Sequence, residues 1–303
     1  MLNKAPIFVI GFQRGGTNIL TNLLASHPDT RFLGRETHMV FYGKAREPVA
    51  KWFRRLLYLP LLVGARGHLF RAGSLAERRR VPGPLMRYAD LLLYRESMAT
   101  PTPQSDDTSR PAGSAKPGRR LLCKNVNGLV FVTPVLREMY PDATFIALVR
   151  NGLALCEGYT RRGMPSAVFG EIYEKVVQRM LDDAARVPNY HIVRFENMIA
   201  DPLSVIRDVY RHASLDITAV GKYRLQAKQS MDRDGRRTYA FGGQQDREVR
   251  WFDASEIGSC FRKDVDASQI ARLGERERVE FLRGAGGAME RLGYLGDGAP
   301  GFS

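Results

Sequence analysis

Cysteine is scarce in this sequence, and its few copies lie far apart. Three cysteines occur among 303 residues, at positions 123, 156 and 260, and no two of them form a Cys-x-x-Cys pair. This number and spacing exclude a disulfide scaffold and the usual zinc-binding patterns, and they suit a reducing compartment.

Long apolar runs are also missing. The N-terminal run PIFVIG at residues 6–11 is shorter than the hydrophobic region of a secretory signal, and glycines and an arginine follow it. The stretch LLYLPLLVGA at residues 56–65 falls far short of the about 20 residues that a membrane-spanning helix needs. We therefore expect a soluble, cytoplasmic protein.

Acidic residues are under-represented. The chain has 32 Asp and Glu against 46 Lys and Arg, which gives a net charge of +14 at neutral pH. This imbalance favours an anionic partner, such as nucleic acid, membrane phosphates or a small polyanionic ligand. Residues 44–90 alone hold eleven Lys or Arg and three Asp or Glu. Their segment WFRRLLY at 52–58 could contact a membrane surface peripherally or bind an acidic carbohydrate or lipid; a solvated helix face is the alternative.

An alternation of strands and helices defines the fold class. Residues 6–11 form a continuous apolar run, typical of a strand buried on both faces, and a Gly-rich turn and a helical pattern follow it. Further strands are predicted near residues 30–33, 121–124, 143–149 and 191–195, and helices near 130–140, 166–186, 202–213 and 267–291. This order predicts an α/β protein with a parallel sheet flanked by helices, of the P-loop NTPase-like type.

The chain length is compatible with one large α/β domain, and we predict a single domain over residues 1–303. Residues 44–99 are expected to form a basic helical insert in it. Residues 100–119 are rich in Pro, Ser, Gly and Thr without apolar periodicity, and they predict a flexible loop. The acceptor of a reaction is expected to be recognised within residues 44–120, because substrate loops vary most among related folds.

The turn after the first strand, GFQRGGTN, carries the main chemical signal. A Gly-rich turn that leads into a helix N-terminus presents several backbone N–H groups to an anion, and glycine allows a phosphate to approach closely. The spacing of Gly11, Gly16 and Thr17 imitates a P-loop, but the lysine of a Walker A motif is missing and Arg14 supplies the cation instead. A nucleotide kinase or another nucleotide-binding protein is therefore a less favoured alternative.

Residues 8–28, FVIGFQRGGTNILTNLLASHP, resemble the opening of the sulfotransferases that use 3′-phosphoadenosine-5′-phosphosulfate (PAPS). This chain has Gln13 where that family usually has proline, Gly15 for serine, and Asn18 for a second threonine. The resemblance implies that the loop binds the 5′-phosphosulfate of PAPS through Gln13, Arg14, Gly15, Gly16, Thr17 and Asn18. Asn18 can still donate a side-chain N–H to a phosphate oxygen.

A second stretch is similar to the same family. Residues 124–127 (KNVN) and 140–152 (YPDATFIALVRNG) match its Lys-Thr/Asn-Pro and Pro-Asp-Ala-x-Phe-Ile-x-x-Val-Arg segments. The resemblance implies that Arg150 binds the 3′-phosphate, which distinguishes PAPS from ATP. A serine eight residues later usually assists, but this chain has Gly158 there; a backbone N–H or Thr160 could replace the hydroxyl. The absence of this serine also leaves open that the chain is a non-catalytic relative of the family.

The resemblance implies two kinds of catalytic residue: a base, for which one carboxylate and one imidazole are candidates, and two cations. The segment GRETHMVF at residues 34–41 resembles a Lys-Glu-x-His-Phe segment of carbohydrate sulfotransferases, in which the glutamate is the base. Glu36 is therefore the expected base, with His38 as the alternative. Arg14 and Lys124 are the expected cations for the transferring group and the leaving oxygen. In-line transfer of a sulfuryl group from PAPS to an acceptor, the reaction that the resemblance implies, requires no metal.

Two further segments remain less defined. Residues 191–202, HIVRFENMIADP, resemble an architectural family segment, so Arg194 and Glu196 are expected to form a structural pair. Residues 233–251 loosely resemble the basic segment that closes the family's cofactor site, with Arg236 and Arg237 as candidates. A nucleic-acid-binding protein would explain the charge, but no recognised module is present. The acceptor stays open between a carbohydrate, a glycolipid and a small metabolite, with a hydroxyl or an amine.

Overall fold

A five-stranded parallel sheet forms the centre of the molecule. The computed structural model describes residues 1–37, 83–99, 119–231, 237–241 and 247–295. The strand order is β2-β3-β1-β4-β5, and all four pairs are parallel. The strands are β1 (Ile7–Gly11), β2 (Thr30–Glu36), β3 (Arg120–Val126), β4 (Thr144–Val149) and β5 (Tyr190–Arg194). This confirms the predicted α/β class.

Helices cover both faces of this sheet. In chain order they are α1 (Thr17–Ala25), α2 (Gly83–Ala99), α3 (Thr133–Met139), α4 (Gly152–Thr160), α5 (Ser166–Arg186), α6 (Phe195–Ala200), α7 (Pro202–His212), α8 (Ala254–Ile257), α9 (Val265–Ile270) and α10 (Glu275–Arg291). Side chains alternate along β1, so Phe8 packs in one core with Tyr173 of α5 and Phe281 of α10. Val9 packs in the other core with Leu20 of α1.

A second, antiparallel sheet was not predicted from the sequence. It has the order β7-β6-β8, with β6 (Tyr223–Met231), β7 (Arg237–Phe241) and β8 (Arg247–Phe252). Strand β6 precedes the Arg- and Gly-rich stretch at 233–251 that the sequence assigned to a cofactor-closing segment, and β7 and nearly all of β8 lie within it. Charged residues and glycine are depleted in most strands and hide the strand signal here. Arg236 lies outside the described residues, and of Arg237 only the backbone is described.

The long C-terminal helix is divided in two. The predicted helix 267–291 is observed as α9 and α10, with Gly274 as the N-cap of α10 and the side chain of Glu277 bonded back to its N–H at 3.0 Å. The helical pattern in the sequence therefore did not indicate the break between α9 and α10. Position 274 matters for the site, because the break lets α9 turn towards the carboxyl end of β4.

Of the predicted basic insert 44–99, only α2 lies within the described residues, and almost all of the loop at 100–119 lies outside them. Residues 52–58, for which membrane contact was one expectation, also lie outside. Among the helices described, none is both long and apolar enough to cross a membrane.

Candidate active site

The carboxyl ends of four neighbouring strands meet at one edge of the parallel sheet. Gly11 at the end of β1 is in register with Val126 of β3 and Leu148 of β4. Glu36 at the end of β2 is in register with Lys124 of β3. Ligand sites of open α/β sheets collect at this edge. The topology therefore brings all the described residues of the predicted site to one side of the molecule.

The Gly-rich turn has the geometry of an anion-binding loop. Arg14 and Gly16 have positive φ angles of 68° and 91°, and the N–H of Gly15 donates to the Phe12 carbonyl at 3.1 Å. Helix α1 begins at Thr17, and no side chain caps its N-terminus. Its first N–H groups and its dipole are therefore available to an anion. The side chains of Gln13 and Arg14 are exposed above it.

Two residues that the sequence did not single out hold this loop in place. The Oδ1 of Asn127 accepts hydrogen bonds from the Gln13 N–H at 3.0 Å and from the Tyr159 hydroxyl at 2.9 Å. The Tyr159 ring is stacked on Phe169 of α5 at 4.1 Å between centroids. Burial raises the pKa of Tyr159 well above its usual value, so its hydroxyl stays protonated and donates. Asn127 and Tyr159 thus position the start of the loop.

Gly16 is required by both its conformation and its surroundings. A Cβ at Gly16 would lie 2.4 Å from Cδ2 of Phe195. We expect Gly16→Ala to lose about 1–2 kcal/mol of unfolding free energy through left-handed strain and about 1–3 kcal/mol more through repacking of Phe195. Urea unfolding measures the loss.

Gly163 provides the matched control for this substitution. It also has a positive φ, of 87°, but a Cβ there would meet no atom within 4 Å, so Gly163→Ala tests strain alone. Equal losses in the two variants would contradict the role of the Phe195 contact.

Glu36 and Lys124 form a buried ion pair beside the loop. Their Oε1 and Nζ atoms are 3.1 Å apart, with side chains 5% and 9% exposed. The Lys124 ammonium also donates to Oδ1 of Asn18 in the first turn of α1, and the Thr37 hydroxyl donates to the Lys124 carbonyl at 3.3 Å. Three residues chosen separately from the sequence are thus joined in one cluster. His38 lies outside the described residues.

Arg150 lies on the other side of the loop, immediately after β4, and is only 5% exposed. Its guanidinium stacks on Phe195 at 4.1 Å from the ring centroid. Its Nη1 donates to the Arg14 carbonyl at 2.6 Å. The remaining contacts are to α9: Nε donates to Oδ1 of Asp266 at 2.9 Å, and Nη2 donates to Asp266 and Gln269. The sequence did not identify Asp266 or Gln269.

Gly158 has an arginine beside it. The heavy atom nearest to a Cβ built at Gly158 is Nη1 of Arg162, at 3.8 Å, and this nitrogen donates to the Gly158 carbonyl. Burial, followed by the charge of Arg14, lowers the pKa of Arg162. Thr160 instead donates its hydroxyl to the Glu157 carbonyl at 3.2 Å.

The cysteines lie outside this chemistry. All three are free, and Cys123 and Cys156 are buried. Burial raises the pKa of both thiols to about 12, so neither is a thiolate at neutral pH. Within the described ranges, no cluster of three or more His, Cys, Asp or Glu could hold a metal ion.

Arg194 and Glu196 stabilise the C-terminal part of the fold through different partners. Glu196 accepts a hydrogen bond from the Asn151 N–H at 2.8 Å and another from the Tyr294 hydroxyl at 2.9 Å. Arg194 stacks over the Tyr294 ring at 4.4 Å and donates to the Leu292 carbonyl at 2.6 Å. The two residues expected as a structural pair therefore share one partner, Tyr294.

Fold and site together define a class: a parallel α/β protein with an anion-binding loop after the first strand and basic side chains at the adjacent strand ends. The profile of the sulfotransferase family matches residues 6–219. The chain therefore belongs to the sulfotransferase family, and the sequence resemblance is confirmed. No curated protein matches the sequence significantly.

Three solved sulfotransferases are similar to this chain at low sequence identity. A sulfotransferase domain from the curacin biosynthetic pathway is 14% identical, with 95% of this chain and 97% of that chain covered and a TM-score of 0.50. The sulfotransferase domain of the Synechococcus PCC 7002 olefin synthase is 20% identical, with coverages of 72% and 77% and a TM-score of 0.43. The sulfotransferase STF1 of Mycobacterium tuberculosis H37Rv is 17% identical, with coverages of 71% and 68% and a TM-score of 0.43.

Proposed function

We propose that this protein transfers the sulfuryl group of PAPS to a hydroxyl or an amine of an acceptor. The observation that carries the proposal is the cluster of Glu36, Lys124 and Asn18 at the N-terminus of α1, with the anion-binding loop between it and Arg150. A base, a cation and two separate anion sites are the groups that the reaction needs.

The donor is held by its two anionic ends. The backbone of Gln13, Gly15, Gly16 and Thr17, together with Arg14 and Asn18, binds the 5′-phosphosulfate at the start of α1. The turn is tight at Gly15, where a Cβ would lie 3.0 Å from the Phe12 carbonyl oxygen. Arg150 binds the 3′-phosphate, since a buried guanidinium forms strong charge-assisted hydrogen bonds with phosphate.

The transfer is a single in-line displacement at sulfur. The acceptor oxygen or nitrogen forms a bond to sulfur while the bond between sulfur and the bridging phosphate oxygen breaks, which leaves 3′-phosphoadenosine-5′-phosphate (PAP). Glu36 accepts the proton that the acceptor loses. Lys124 and Arg14 stabilise the negative charge on the leaving oxygen and the sulfuryl group. His38 is the alternative base.

Calorimetric titration with PAP, ADP and ATP tests the donor. We expect PAP to bind at least about 100-fold more tightly than ADP or ATP, because the contacts to a 3′-phosphate are charge-assisted. Arg14→Ala is expected to weaken PAP binding by about tenfold. Arg211→Ala, which removes a 79% exposed arginine on α7, is the control and should bind as the wild type does. A preference for ATP, or no binding of PAP, would contradict the proposal and favour the nucleotide-kinase alternative.

The acceptor is a carbohydrate, a glycolipid or a small metabolite, which reaches the sulfuryl group from the side of Glu36. The basic residues at 44–90 favour an acidic acceptor. The proposal keeps the cytoplasmic location that the sequence analysis expects. No observation on the described residues favours nucleic acid as a partner.

A further inference from the structure

The guanidinium that the proposed function assigns to a phosphate already binds an internal carboxylate. Asp266 accepts hydrogen bonds from Nε and Nη2 of Arg150, and its side chain is 15% exposed. Gln269, one turn further along α9, accepts from Nη2 as well. Both bonds from Arg150 to Asp266 end on Oδ1, so this carboxylate oxygen occupies the donors that an oxygen of a bound phosphate would need.

Arg150 has little capacity left for a second anion. A guanidinium has five N–H groups; here one on Nε, one on Nη1 and both on Nη2 have acceptors. One face of the group is covered by Phe195. A phosphate can therefore gain two hydrogen bonds from Arg150 only if Asp266 and Gln269 leave. The phosphate and the Asp266 carboxylate would also repel each other if both bound the same guanidinium.

Helix α9 is attached in a way that allows it to leave. None of its residues is fully buried; its apolar attachment is the partly buried Val265, which packs against the core that contains Val9. Its other attachments are polar. Gln269 Nε2 lies 3.4 Å from Oε2 of Glu157 on α4, Arg272 donates to Oε1 of Glu157 at 3.0 Å, and Arg278 donates to the Ile270 carbonyl at 2.7 Å. Oδ2 of Asp266 is buried without a hydrogen-bond partner, which costs stability in the docked position. Segments with few buried contacts open at the lowest free energy.

We propose that Asp266 is an internal competitor for Arg150: it holds the guanidinium in place in the free protein, and α9 withdraws when the 3′-phosphate of the nucleotide binds. The inference rests on the proposed function. It makes Asp266 a residue that weakens the binding of PAP, and so eases its release as product, without contacting the reacting atoms.

Titration of Asp266→Asn with PAP and with ADP tests this. The amide keeps the size of the side chain but removes the competing charge, so PAP should bind about tenfold more tightly while ADP, which has no 3′-phosphate, should bind as it does to the wild type. Asp264→Asn is the matched control, because Asp264 is exposed and pairs with Arg262 two residues earlier on the same segment. It should leave both affinities unchanged.

Hydrogen exchange on the wild-type protein provides a second measurement that needs no variant. Saturating PAP should increase the exchange of the amides of residues 265–270, and ADP should not. Unchanged or weaker PAP binding by Asp266→Asn, or protection of 265–270 by PAP, would overturn the competitor role and leave the proposed function intact. Failure of both wild type and Asp266→Asn to bind PAP would overturn the proposed function itself, and the inference with it.

Discussion

Glu36→Gln is expected to lower the turnover number by about 100- to 10,000-fold, the usual contribution of a general base, while PAP binding is retained. Glutamine preserves the shape of the side chain and can still accept a hydrogen bond from Lys124, but it cannot take the proton of the acceptor. Glu36 is linked to the loop through Lys124, whose ammonium also donates to Asn18. Its loss of charge should therefore affect the chemical step more than the binding of the donor.

The measurement is transfer of radiolabelled sulfate from PAPS to an acceptor mixture, with calorimetric binding of PAP alongside. Asp183→Asn is the control, because Asp183 is an equally buried carboxylate paired with a cation, Arg179 at 2.6 Å, on α5. It should alter stability without changing turnover of the folded protein. Near-normal turnover of Glu36→Gln, with the loss found instead in His38→Ala, would transfer the role of base to His38.

Arg150→Met is expected to weaken PAP binding by about 100-fold or more and to abolish the preference for PAP over ADP. Two charge-assisted hydrogen bonds to the 3′-phosphate are lost, each worth about 1.5–3 kcal/mol. ADP has no phosphate at that position, so its affinity should change little. Competition calorimetry with both nucleotides measures the difference.

The substitution also has a structural consequence that must be separated from binding. Without Arg150, the carboxylate of Asp266, whose side chain is 15% exposed, loses the cation that it binds, which destabilises the fold. The double variant Arg150→Met, Asp266→Asn removes this unpaired charge. We expect it to regain most of the lost thermal stability and none of the PAP affinity. Wild-type PAP affinity in either variant would show that Arg150 does not bind the 3′-phosphate.

The parallel sheet could be predicted from sequence because its strands are apolar on both faces. The run at residues 144–149 is buried at every position, and β1 is buried throughout as well, so each appears as a continuous apolar stretch that local patterning detects. The turn at 12–16 was visible for a related reason: only glycine suits a position such as Gly16, where the backbone is left-handed and a side chain would collide with Phe195.

The antiparallel sheet and the division between α9 and α10 could not be predicted in the same way. Strands β6 and β8 pair through the backbone over six positions. Backbone hydrogen bonds do not require particular side chains, so this pairing does not produce a recognisable sequence pattern. The stretch after Ile270 continues an apolar periodicity, so only the cap at Gly274 separates the two helices.

The amino-acid sequence by itself determined the fold class, the anion-binding turn and the family, because each of these depends on short stretches whose residues are neighbours in the chain. Tertiary structure alone decided which side chains bind each other. Asn127 holds the loop across 114 positions, and Asp266 reaches Arg150 across 116. Such contacts depend on how strand ends and helices are brought together in space, and no local pattern of residues records that arrangement.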